Sequence, residues 1–214
     1  MLKKSFVIAA VLFFLMGSSL IKSSSEKLSY AQVKSLDSVE TAQWYTNDNF
    51  LFKIKKIPGW DFKNIKGIEQ DVPMLNLAFT KPSVDGDFKN MVIINVAKLE
   101  KPKNYAGAQG YSALADQIIN SSVQNLSGIS FIQQPQTISI NNLEARYAIF
   151  EWQDQRYGNE KFTNTLIIFF PFATDTELLN ASVLFKCKSK EYPLLRSEVE
   201  EGIKSITIGG ASSY

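Results

Sequence analysis

The chain has 214 residues, 45% hydrophobic and 12% aromatic, which supplies one real core, makes disorder a poor default and leans toward a sheet-rich interior. Its formal charge of +2 includes Lys3, Lys4 and Lys22 of the N-terminal segment, and without those three it becomes −1. A near-neutral body lacks the broad cationic field that phosphate backbones select for, so a general nucleic-acid binder is set aside.

Met1-Leu2-Lys3-Lys4 is a basic head, Phe6 to Met16 an apolar middle and Gly17-Ser18-Ser19 a small-residue exit. These are the three parts of a secretory signal peptide, so residues 1–22 are expected to be a leader and the protein to be exported, periplasmic or extracellular. Extended through Leu20 and Ile21, the apolar run stays short of the roughly 20 residues a spanning helix needs. A membrane anchor retained through this N-terminal segment is the runner-up. The only cysteine, Cys187, lies far from the leader, which leaves no thiol there for acylation and no internal disulfide. Stability then has to come from packing.

Residues 23–46 are rich in Ser, Lys, Glu and Gln and read as a polar spacer. The domain proper is expected over 47–208, with 209–214 as a tail. Phe52 and Ile54 alternate with Leu51, Lys53 and Lys55, the pattern of a half-buried strand. Ile57-Pro58-Gly59-Trp60 ends it, and the chain is expected to return through Phe62 to Ile65 as a hairpin with Trp60 as its core anchor. Leu75, Leu77 and Phe79 alternate again, and the Asp85-Gly86 pair suits a tight reversal before the apolar stretch Met91 to Leu99. This first block reads as an antiparallel meander.

The period then changes to three and four: Tyr111, Leu114, Ala115, Ile118, Ile119, Val123 and Leu126 mark one face of a helix, with Gly128 placed to stop it. Strands resume at Ile138 and Ile140, reverse at Asn141-Asn142, and run on through Ala145 to Trp152, Phe162 to Phe170 and Leu179 to Cys187, with a turn expected from Pro171 to Thr176. Tyr192, Leu195, Val199, Ile203 and Ile206 repeat at helical spacing, and Pro193 falls in the first turn, where its missing N–H costs least. Two blocks of strands, each followed by one helix, predict an α+β fold with an antiparallel sheet flanked by helices. There is no βαβ rhythm and no Gly-rich strand-to-helix turn, which disfavours a nucleotide fold.

The strand running into Ile57-Pro58-Gly59-Trp60, the central helix, the hairpin through Asn142-Leu143-Glu144-Ala145 and the closing helix followed by Ser205-Ile206-Thr207-Ile208 together resemble the PsbP/DcrB-like group, which shares its fold with the Ran-binding Mog proteins. The resemblance spans about Phe50 to Ile208. It implies an α-β-α sandwich that acts without catalysis, as a binding or assembly factor of the cell envelope or, in the photosynthetic branch, of thylakoids. It carries over no catalytic residue and no cofactor.

The residue inventory points the same way. With no histidine in the chain, a Ser-His-Asp set, a Cys-His pair and histidine-containing metal sites are all ruled out. Cys187 continues the inward face of a strand and reads as a buried thiol. Asp85 and Asp87 flank Gly86, but Phe88 and Lys89 do not continue a ligand series for calcium, so a plain turn is favoured and no metal is expected. Glu198, Glu200 and Glu201 read as the solvated side of a helix. The lysines 53, 55, 56, 63 and 66 could give the first hairpin a basic face toward anionic lipid, though alternate lysines more often keep an edge soluble.

Trp152, Arg156 and Tyr157, with Arg146 on the same strand as Trp152, form the candidate binding set, since rings around a polar turn make a rigid contact surface and arginine grips carboxylate or phosphate in a bidentate manner. Rings folded onto the core with a solvated arginine are the plainer alternative. The expected function is a non-enzymatic exported protein binding an envelope protein or a lipid-like ligand. The rival is a hydrolase using carboxylates alone, which needs two acids facing each other across a cleft.

Overall fold

A computed structural model describes residues 43–65, 74–100, 107–158, 160–173 and 177–208. The leader, most of the spacer, and the tail lie outside these residues. Strands β1 (Trp44–Asn47), β2 (Phe52–Lys55) and β10 (Thr207–Ile208) form a small antiparallel sheet in the order β1-β2-β10. The remaining strands are β3 (Asp61–Asn64), β4 (Met74–Pro82), β5 (Lys89–Glu100), β6 (Ser127–Ile140), β7 (Leu143–Gln153), β8 (Lys161–Ala173) and β9 (Glu177–Lys188). They make one antiparallel sheet in the order β3-β4-β5-β9-β8-β7-β6. Two meanders, each pairing neighbours in sequence, are therefore joined where β5 meets β9.

Helix α1 (Gly107–Val123) lies across β6, β7 and β8, while helix α2 (Tyr192–Lys204) lies against β9 and β2. The alternation of β9 shows that they occupy opposite faces. Val183 and Phe185 pack in one core with Leu195, Val199 and Ile203 of α2, whereas Leu184 packs in the other with Leu114, Ala115, Ile118 and Ile119 of α1. Each large side chain so buried contributes about 1.5–3 kcal/mol, and both cores are rich in them. The small sheet closes the α2 face over β4 and β5, since Tyr45, Phe52, Ile54 and Ile208 share the core of Leu77, Phe79 and Ile94.

Several expectations are met. The Asp85-Gly86 and Asn141-Asn142 reversals are present, with positive φ at Gly86 (74°), Asn141 (49°) and Asn142 (65°) as tight hairpins require. Trp60 is buried. Other expectations are corrected. The spacer was expected to run to residue 46, but Trp44–Asn47 is already a strand whose Tyr45 is buried. β2 and β3 do not form a hairpin: they belong to different sheets, so the lysines on them share no basic face on one ribbon. Gly128 does not cap α1, which ends at Val123; it lies in β6 at a register shift, where a Cβ would come within 3.1 Å of Gln153 Oε1. Pro171 lies within β8 rather than in a turn. β6 starts at Ser127, far before Ile138, because an edge strand with register shifts exposes residues that an alternation search passes over.

Candidate functional site

The four residues singled out from sequence do not form one surface. Trp152 is buried, its Nε1 donating to Asn164 Oδ1 at 3.1 Å and its ring tilted against Phe162. Arg146 grips Asp116 of α1 through Nε and Nη2 at 2.9 and 2.8 Å and donates to Thr137 Oγ1, so it ties the helix to the sheet. Arg156 closes on Asp154 two residues away, and its hydrogen bonds hold that buried carboxyl below the usual carboxylate range. Tyr157 stays at the surface but sets its ring edge against Phe88 and Phe162. The plainer alternative describes Trp152 and the exposed Arg156, whereas Arg146 is a largely covered pin between helix and sheet.

Several other charged groups are paired as well. Lys188, almost fully buried, donates to Asp85 Oδ2 at 3.1 Å and Asp87 Oδ2 at 2.8 Å, which uses the two carboxylates that flank Gly86. Glu191, at the start of α2, accepts from Val84 N and Asn90 Nδ2. Glu198 accepts from Lys81 and from Trp60 Nε1, and these bonds, Lys81 first, lower its pKa. Cys187 is fully buried, and desolvation pushes its thiol pKa far up, which suppresses the thiolate. Among the described residues no group of three or more acids, or acids with the cysteine, is placed to hold a metal ion.

The site that does stand out was not read from the sequence. Because α2 leans toward β9, the part of its sheet face formed by β6, β7 and β8 is left partly uncovered, and a cavity of about 300 Å³ opens there. Its apolar walls are Ile138 and Ile140 of β6, Ile167 of β8, Phe185 of β9, and Val199 and Ile203 of α2. Toward the start of α2 the lining turns polar. Tyr192 and Thr165 share a hydrogen bond at 2.9 Å, and Tyr147 lines the cavity beside them. Burial above all pushes the Tyr147 phenol up to about 12, so it stays a neutral donor at any ordinary pH. Along the rim, Arg196 donates to Glu200 at 2.5 Å, and Lys204 lies 4.0 Å from the same carboxylate.

Local sequence explains this arrangement. Tyr192, Arg196, Val199 and Ile203 are spaced four, three and four apart and form one stripe of α2 about 16 Å long. The first, third and last were legible as a core face; the charged residue inside that stripe is the signal that the face opens to solvent. Tyr147 pairs with Gln136 on one side and Ile167 on the other, which brings three strands to the same floor. Glu200 is the only carboxylate in the lining. The buried acids Asp154 and Glu191 belong to other places, so the pair of opposed acids a glycosidase-type hydrolase needs is not assembled in this cavity.

No family model and no curated protein matches the chain. Among the solved structures similar to it are these two. One is the solution structure of cyanobacterial PsbP (CyanoP) from Synechocystis sp. PCC 6803, at 12% identity and a TM-score of 0.47, covering 80% of this chain and 95% of that one. The other is the crystal structure of LpqN, involved in cell envelope biogenesis of Mycobacterium tuberculosis, at 12% identity and a TM-score of 0.49, covering 71% and 85%. At 12% identity no binding residue transfers from either protein. Among the described residues no helix is long and apolar enough to cross a membrane.

Proposed function

We propose that this is an exported, non-enzymatic binding protein of the cell envelope, built as a helix-flanked antiparallel sheet, and that it takes a lipid-like ligand into the cavity between α2 and β6–β8. The observation that carries this reading is the cavity's make-up: apolar walls, a hydroxyl cluster at one end and a charged rim, with one carboxylate and no nucleophile-base pair. Ligand sites are concave and mostly apolar, with a few convergent polar groups that orient the guest. The leader read from Lys3 to Ser19 supports the compartment.

The test starts with protein purified natively from the envelope of expressing cells. Organic extraction and mass spectrometry of the wild type should yield an amphiphilic molecule that the Ile138→Trp variant lacks, because an indole at the half-buried Ile138 fills the cavity from its lip. Identical extracts from the two proteins would sink the assignment of the site.

A further inference from the structure

The chemistry of the cavity narrows its occupant, provided that the cavity is the binding site. A cavity of about 300 Å³ lies at the small end of the range of ligand sites. That is too little for a two-chain lipid or a folded peptide segment and suits one short chain. The lining also has a direction. Ile140 and Ile203 sit at the end of α2, while Tyr147, Thr165 and Tyr192 gather near its start, under Arg196, whose guanidinium lies 6.0 Å from the Tyr192 ring.

Charge decides the head group. Beside the phenols the rim carries Arg196 bonded to Glu200, while Lys204 sits at the far end next to Ile203. Arg196 spends its Nε on Glu200, and its two terminal nitrogens make no hydrogen bond within the described residues. The phenols add neutral donors and no competing negative charge. A cationic guest would find donors and no free acceptor there, whereas an anionic one can accept from the two free guanidinium nitrogens and the phenols.

We propose that the occupant is a free medium-chain carboxylate, with its tail along Ile138, Ile140, Val199 and Ile203 and its carboxylate beside Tyr147 and Arg196. Calorimetric titration of the purified exported protein with hexanoate, octanoate, decanoate and dodecanoate tests the size of the well. Affinity should rise about fourfold per methylene until the well is full, and then level off. Octanol and octylamine test the head group. Octanoate should bind at least about tenfold more tightly than octylamine, and Arg196→Gln should remove that preference while leaving octanol unchanged. Tyr147→Phe should weaken octanoate and not octylamine.

Equal binding of octylamine and octanoate, or a carboxylate preference that survives Arg196→Gln, overturns the inference. Affinity that keeps climbing through dodecanoate does so too. If octanol binds and Ile138→Trp abolishes it while octanoate shows no advantage, the cavity remains the site and only its assigned occupant falls. If no alkyl probe binds and Ile138→Trp purifies with the same molecules as the wild type, both readings fall together.

Discussion

The same strands β6, β7 and β8 present two faces that are finished in different ways. Toward α1 they are sealed: Phe150, Trp152, Phe162, Leu166 and Ile168 meet Leu114, Ala115, Ile118 and Ile119, and Arg146 locks the helix down through Asp116. Toward α2 they are left ajar, and Tyr147, Ile138 and Gln136 look into a cavity instead of a helix. The difference lies in where each helix rests, not in the hydrophobicity of the strands. A sheet face becomes a site where its covering helix is displaced by a strand or two, and the polar groups that appear there then have solvent or a guest to answer to.

The sharpest way to break this comparison is to truncate one side chain on each face. Phe162→Ala, on the sealed face, should cost about 3–5 kcal/mol in urea denaturation, whereas Ile138→Ala on the open face should cost about 1 kcal/mol or less. Equal losses would mean that the cavity is as tightly packed as the core.

The next test moves α2 itself. Gly202 faces the loop after β2, and an added Cβ would stand 2.7 Å from Ile57 Cγ1. Gly202→Ala should therefore cost about 1–3 kcal/mol through forced displacement, and should change octanoate affinity because the cavity wall shifts with the helix. Unchanged stability and affinity would show that α2 is free to adjust.

A smaller effect belongs to the sealed face. Lys186 is buried with its ammonium 4.6 Å from the Trp152 ring, 5.1 Å from Phe162 and 5.3 Å from Phe88, and burial pushes its pKa down to about 8 despite the opposing Asp154 carboxylate. Since the unfolded lysine holds its proton to a higher pH, the unfolded chain binds more protons above pH 8, and stability rises with pH there. Relative to Lys186→Met, wild-type stability should gain about 1 kcal/mol between pH 7 and 9. A flat difference across that range would mean that the rings hold the cation as well as water does.

The smallest effect separates the two sides of α2. Leu194 points outward and is 71% exposed, so Leu194→Ser should change stability by no more than about 0.5 kcal/mol and leave octanoate binding intact. A loss of binding would place the working surface on the outer side of the helix.

Local patterns made most elements legible. The stripe of α1, the inward residues of β9 and the Asn141-Asn142 reversal all follow from spacing or turn chemistry within a few residues. What was not legible depends on distant partners. The β5–β9 junction joins residues 77 to 95 positions apart, and β10 is two residues long and exists because β2 is there to receive it. The candidate site depends on distant partners in the same way. Beside its polar turn Trp152 could be read either as a contact ring or as a ring folded onto the core, and only the packing of the sealed face of β7 decides for the second. Tyr147 and Arg196 come together only through the tertiary arrangement that leaves the α2 face ajar.

One small tie sets the tolerance of that opening. Asn141, at the tip of the β6–β7 hairpin, donates through Nδ2 to the backbone oxygens of Lys204 and Ile206, at 2.5 and 2.8 Å. The hairpin tip and the end of α2 are thereby held at a fixed gauge, like two jaws pinned at their far corner. On the proposed reading, a guest longer than the well could pry it open only at the loss of both bonds, which would put the chain-length limit in a turn residue outside the lining.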